Sequence, residues 1–252
     1  MRDAVKKKVL VSWSSGKDSA WSLQVLRRSP EIEVVGLLST VNQHFQRVAM
    51  HGTRIELVRA QAEAAGLPLW EVPLPWPCSN REYEQAMAAA CQRALAEGVT
   101  AMAFGDLFLE DVRRYRTEKL KGTGLEPIFP LWQQDTRWLL GEMISAGVRA
   151  RIVCLDPSRL DPWFAGSELA EVWRKFPAEV DPCGENGEFH SFVYAGPMFR
   201  AEIPIENGET VTRDGFLYSD VVSRPPSRSV VQNRKAKLAP SSPAPLPSSG
   251  LP

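Results

Sequence analysis

The sequence Val9-Leu10-Val11-Ser12-Trp13-Ser14-Ser15-Gly16-Lys17-Asp18-Ser19 runs from strand-forming residues into a cluster of hydroxyls and glycine. The apolar run is entered through Lys6 to Lys8 and spans Val5 to Trp13. Apolar residues then recur at helical spacing, at Ala20, Leu23 and Leu26. Strand, tight Ser/Gly turn and helix, in that order, open many nucleotide-binding α/β domains. Small residues let backbone N–H groups face inward, and the helix N-terminus adds partial positive charge. Ser14, Ser15, Gly16 and Ser19 are therefore candidate phosphate-binding residues, and Lys17 either adds charge or is solvated. It is not a Walker loop. Val11 stands where that motif has its first glycine, and Asp18 follows Lys17 in place of Ser or Thr. By themselves, the six residues from Ser14 to Ser19 also fit a plain tight turn.

Outward from this junction, strands and helices alternate. Glu33 to Val41 is a continuous apolar run of the kind buried on both faces of a parallel sheet. Ile55, Val58, Ala62 and Ala65 predict a helix over Arg54 to Ala65, stopped by Gly66. Leu69 to Leu74 reads as a third strand, and Pro73, Pro75 and Pro77 force an extended loop after it. Tyr83, Met87, Ala90 and Ala94 mark a helix ending at Gly98, and Ala101 to Phe104 a fourth strand. A helix near Thr136 to Ser145 and a fifth strand at Arg151 to Leu155 complete the rhythm. The expectation is an α/β fold with a doubly wound, parallel, five-stranded sheet over residues 1–156. A smaller α+β region is expected over 157–223. Within it, Asn207-Gly208 predicts a hairpin turn between Phe199–Ile205 and Glu209–Thr212.

Length and composition agree with this reading. At 252 residues and 44% apolar content, the chain can bury a sizeable core. Residues 224–252 hold seven prolines, five basic residues and no acidic ones, and read as a disordered tail. The first 223 residues carry 25 basic against 30 acidic groups, a mildly acidic body that argues against nucleic-acid binding. The five-residue apolar run Val9 to Trp13 is too short for a membrane span or a secretory signal. Cys78, Cys91, Cys154 and Cys183 form no C-x-x-C pair, as expected of a cytoplasmic chain with reduced thiols.

The Ser14 to Ser19 loop resembles the pyrophosphate loop of the N-type ATP pyrophosphatases, the adenine nucleotide alpha hydrolase superfamily with its HUP-type, Rossmann-like fold. Further motifs follow in family order. They are Met50 to Thr53, Gly124 to Trp132, and Gly184-Glu185-Asn186-Gly187-Glu188-Phe189-His190-Ser191. Together they resemble the diphthine–ammonia ligase family and its ATP-binding relatives, over about Val9 to Phe199. That family usually has Glu-Gly-Gly-Glu, an aromatic, then Glu-Thr; this chain places Asn186, His190 and Ser191 there instead. The family's Arg-x-Arg-x-Glu pattern corresponds best to Arg114, Arg116 and Glu118.

The resemblance implies ATP and Mg²⁺ as cofactors, a carboxylate acceptor (protein-bound diphthine or another carboxylate), and free ammonium as nitrogen source. It implies carboxylate adenylation with release of pyrophosphate, then attack by ammonia. Asp18, an acid at a phosphate site, either holds Mg²⁺ or caps the helix. His51 contacts nucleotide or acceptor, or serves as a helix-entry hydrogen bonder. Glu185 and Glu188 either line the cleft, as ammonium site or general base, or form an exposed acidic turn. His190 takes over the missing acidic role, contacts a different acceptor, or sits on the surface. Arg114 and Arg116 neutralise pyrophosphate or belong to a solvated helix face. A non-catalytic ATP- or AMP-binding sensor is the rival reading, kept open by Asn186 and His190.

Overall fold

The computed structural model describes residues 5–48 and 52–224. Five strands run parallel: β1 (Lys7–Ser12), β2 (Ile32–Asn42), β4 (Leu69–Leu74), β5 (Ala101–Ala103) and β6 (Glu126–Ile128). Their spatial order is β4-β2-β1-β5-β6, and the two-residue β3 (Arg47–Val48) adds antiparallel to the end of β2. The helices are α1 (Lys17–Arg27), α2 (Ile55–Ala65), α3 (Asn80–Ala96), α4 (Glu110–Leu120), α5 (Thr136–Ser145) and α6 (Leu169–Val172). Alternation along β1 sorts them into two layers. Val9 and Val11 pack with α1, α2 and α5, whereas Leu10 packs with Trp70, Cys91, Ala94 and Leu120 beside α3 and α4. The sheet is doubly wound, as its strand–helix rhythm predicts.

The helix at Ile55–Ala65 ends as expected, on Gly66 in the left-handed region at φ +67°. The strand at Leu69–Leu74 and the helix at Thr136–Ser145 also stand at their predicted bounds. Two expectations need correction. The fifth parallel strand is Glu126–Ile128, whereas β7 (Arg149–Leu155) pairs antiparallel in a second sheet of order β8-β7-β10-β9. The other strands there are β8 (Phe189–Ala195), β9 (Ile205–Arg213) and β10 (Phe216–Ser223). Pro127 hides β6, because proline is tolerated only where a strand lies at a sheet edge, and β6 is the edge. An apolar run like β7 does not by itself name its partners.

The second correction concerns the hairpin. Asn207 and Gly208 lie inside β9, where Asn207 Nδ2 donates to the Gly166 carbonyl at 3.0 Å. The turn is Asp214-Gly215, with Arg213 paired to Phe216. Positive φ at both positions, +51° and +86°, is the type I′ requirement that Asp-Gly meets as well as Asn-Gly. The expected tail beyond Arg224 lies outside the described residues. Ile152, Leu155, Phe189 and Val193 share one core with α1 and α2, so the second sheet docks beside the phosphate loop.

Candidate active site

The order β4-β2-β1-β5-β6 reverses its direction of growth between β1 and β5, the place where doubly wound sheets bind ligands. A cavity of about 500 Å³ opens there, beyond the strand ends. Its walls include Ser14, Gly16, Lys17, Asp18 and Ser19 from the loop, and Phe104, Gly105 and Asp106 after β5. Arg116 from α4, and Glu185, Asn186, His190 and Ser191 from the Gly-rich turn and β8, close it. Gly105 is required by space. A Cβ there would stand 2.9 Å from the Asp18 carbonyl carbon and 3.0 Å from the Ser19 nitrogen.

The loop is held from behind. Ser15 takes φ +73°, and its buried hydroxyl faces Thr53 Oγ1 at 2.9 Å, away from the cavity. Its carbonyl accepts from Val193 N at 3.1 Å. Ser14 Oγ and Ser19 Oγ lie 3.2 Å apart on the cavity side, and Gly16 N donates to Ser14 Oγ at 3.4 Å. Lys17 N donates to Ser191 Oγ at 3.2 Å, so the hydroxyl retained at 191 fastens the first helical turn.

Lys17 is not solvated. It is 2% exposed, its ammonium donates to Asp18 Oδ2 at 2.8 Å, and it also donates to the Cys183 carbonyl. Burial opposes that charge most strongly, but Asp18, Cys183 and Asp181 together offset it and the Lys17 pKa rises. Burial raises the Asp18 pKa against the pull of Lys17. Asp18 does not cap the helix: Gly16 is the N-cap residue, and Asp18 Oδ1 is buried with no hydrogen-bond partner. An orphaned carboxylate oxygen at a helix N-terminus beside two serine hydroxyls fits phosphate groups accompanied by a cation. Among the described residues no cluster of three or more metal-ligating side chains occurs. Mg²⁺ ordinarily keeps waters and takes phosphate oxygens as ligands, so Asp18 alone suffices on the protein side.

The two glutamates separate. Glu185 lines the cavity and accepts from Leu107 N at 2.7 Å. Burial raises its pKa to about 7, with Asp18 and Asp106 pushing the same way against the Leu107 N–H. Glu188 is fully buried and does not line the cavity. Its Oε1 accepts from Asp181 N at 3.1 Å and from Asn186 Nδ2 at 3.0 Å, so it braces the turn from inside. His190 is on the wall, and burial, with Lys17 adding to it, lowers its pKa to about 4. Its imidazole is neutral at neutral pH.

The arginines separate too. Arg116 is held on the wall by Asp106, at 2.6 and 3.1 Å. Arg114 is off the cavity, its side chain 70% exposed and paired with Asp111 one turn earlier. Two positions apart on a helix are about 200° apart, so only one can face the cleft. His51 lies outside the described residues. Sequence reading missed Phe104, Gly105 and Asp106, which the switch-point rule applied to the fourth strand would have found. Burial raises the pKa of Cys183, also on the wall, which leaves it a poor nucleophile.

This fold and site define a phosphate-loop, nucleotide-binding α/β protein. Residues 7–126 match the model of the diphthamide synthase N-terminal domain, and residues 135–221 that of its C-terminal domain. The chain belongs to the diphthine–ammonia ligase family. It is 31% identical over 241 residues to the diphthine–ammonia ligase of Rattus norvegicus, covering 82% of this chain and 86% of the relative. The proteins of that name from Bos taurus and Homo sapiens are 27% and 26% identical over the same coverage. No helix among the described residues is long and apolar enough to cross a membrane.

Proposed function

We propose that the protein is an ATP-dependent ligase that joins ammonia to a carboxylate, with release of AMP and pyrophosphate. The observation that carries this reading is the shared cavity, whose walls include both the phosphate loop and Glu185. In the first step an acceptor carboxylate oxygen attacks the α-phosphorus of ATP. The bridging bond to the β-phosphate breaks, and the electron pair leaves on pyrophosphate. In the second, the ammonia lone pair attacks the acyl carbon, the C–O bond to AMP breaks with its electron pair leaving on AMP, and the nitrogen sheds one proton to solvent, so that an amide remains. Ammonium must first lose a proton, and a carboxylate with a pKa near neutral is suited to take it.

The chain's own groups position and neutralise. Ser14, Gly16 and Ser19 bind phosphate oxygens, Asp18 holds Mg²⁺, and the ion adds charge neutralisation at the phosphates. Lys17 holds the loop against the Gly-rich turn, and Arg116 meets the departing pyrophosphate. The relatives' name points to protein-borne diphthine as acceptor. Where the family carries a second acid, this cavity carries a neutral imidazole at His190. That difference supports a different carboxylate as the alternative acceptor.

The test follows AMP from α-phosphate-labelled ATP, with Mg²⁺, ammonium and a desalted host extract as acceptor source. AMP that needs the extract and vanishes in Asp18→Ala supports the ligase. ADP as sole product discards it. Tight ATP binding without turnover, in extract with a demonstrated competent acceptor, supports a nucleotide-sensing module instead.

A further inference from the structure

Gln61 belongs to none of the motifs that mark the site, yet it is fully buried directly behind the phosphate loop. Its Nε2 donates to the Ser15 carbonyl at 3.0 Å and to the Val193 carbonyl at 2.6 Å. Its Oε1 accepts from Trp13 Nε1 at 2.8 Å. One side chain on α2 thus joins the residue after β1, the loop itself and β8. A primary amide has two N–H donors and one carbonyl acceptor, and all three are used.

The Ser15 peptide needs such support. A non-glycine residue at φ +73° persists only where its surroundings over-determine it. Three contacts do so: Gln61 Nε2 and Val193 N on the carbonyl, and Thr53 on the hydroxyl. Val193 N joins the loop to β8 directly, and Gln61 braces that junction from both sides, through the Ser15 carbonyl and the Val193 carbonyl. No other side-chain chemistry of this size does the same. An aliphatic residue leaves Trp13 Nε1 and the Val193 carbonyl without these partners, and a carboxylate aims an acceptor at two acceptors.

We propose that Gln61 is a positioning residue of the nucleotide site. It fixes the Ser15 peptide so that the loop presents Ser14, Gly16 and Ser19 to phosphate groups, and it ties that geometry to β8. This rests on the loop being the nucleotide site, and the test separates the two ideas.

The full chain is compared as wild type, Gln61→Leu, Gln61→Glu and Val72→Ala. Val72 is a buried residue on the opposite sheet face and serves as a control for general destabilisation. Hydrogen exchange of the amides of residues 14–19 is measured without nucleotide, beside Mg·ATP affinity and melting temperature. The expected result for Gln61→Leu is loop exchange about tenfold faster and Mg·ATP binding about tenfold weaker, with Val72→Ala changing neither. In Gln61→Glu, a protonated carboxyl restores one donor, so the deficit relative to wild type narrows between about pH 8 and about pH 6. Destabilisation alone does not produce that pH profile. Loop exchange in Gln61→Leu within about twofold of Val72→Ala overturns the proposal. Gln61→Glu carries the same comparison if Gln61→Leu does not fold. Failure of the wild type to bind Mg·ATP overturns the nucleotide reading instead, while loop exchange still decides the role of Gln61.

Discussion

The Lys17 ammonium donates to the backbone carbonyl of Cys183, 166 positions away, and so one buried cation belongs to both the phosphate loop and the Gly-rich turn. Asp18 completes its environment at 2.8 Å. The loop's geometry is therefore tied to residues beyond position 180.

Lys17→Met removes the cation and leaves the Asp18 carboxylate three-quarters buried beside an unmet carbonyl. Breaking a buried pair from one side costs about 3–5 kcal/mol, and partial exposure of Asp18 puts this case near the lower end. Urea denaturation should show the loss. A stability equal to wild type would mean that the pair is dispensable.

Gly105→Ala places a methyl 2.9 Å from the Asp18 backbone. Neither the loop nor the β5 end is a flexible side-chain tip, so the helix start must shift. The expected cost is about 1–3 kcal/mol, with Mg·ATP affinity falling about tenfold. Calorimetric titration with ATP checks the second figure; unchanged affinity would place the phosphates elsewhere.

Glu185 gives a pH dependence of definite sign. Burial lifts its pKa from 4.5 to about 7 in the folded chain, so the folded state holds its proton longer than the unfolded state. Its contribution to stability is fully present below about pH 4.5 and is lost as pH rises through about 7. Gln keeps an acceptor for Leu107 N without the charge. Glu185→Gln should therefore stabilise the chain above neutral pH, on the order of 1 kcal/mol after allowing for solvent screening, and not at acid pH. Melting curves across that range decide it.

Arg114 and Arg116 give a contrast within one helix. Arg114→Ala removes an exposed pair with Asp111 and should change stability and nucleotide affinity by less than about 0.5 kcal/mol. Arg116→Ala strips Asp106 of both its guanidinium bonds on the cavity wall and should weaken Mg·ATP binding several-fold. Equal effects from the two variants would contradict the placement of Arg114 outside the cleft.

Much of the fold was legible because its signals are local. The junction from Ser12 to Ser19, the spacing from Ile55 to Ala65 and the stop at Gly66 each depend on residues a few positions apart. The same holds for the antiparallel character of the C-terminal region. Strand partnership was not legible. Arg149–Leu155 has the composition of a buried strand in either sheet, and β6 is three residues long with a proline in it. Of two Gly-containing turn signals in the hairpin, both chemically adequate, pairing to β10 selected Asp214-Gly215.

Within the site, residue types alone determined that a loop rich in Ser and Gly opens a helix, and that an acid stands where phosphates are expected. They also marked Glu185, Glu188, Arg114 and Arg116 as pairs of equals. Only the tertiary structure divided each pair, sending Glu185 and Arg116 to the cavity, Glu188 into the turn and Arg114 to solvent. It alone brought Gln61 behind the loop and Cys183 onto Lys17. The physical reason is that hydrogen-bond satisfaction in a buried site is a long-range condition. A side chain's role there is set by which distant donors and acceptors packing leaves for it, and spacing along the chain carries no record of that.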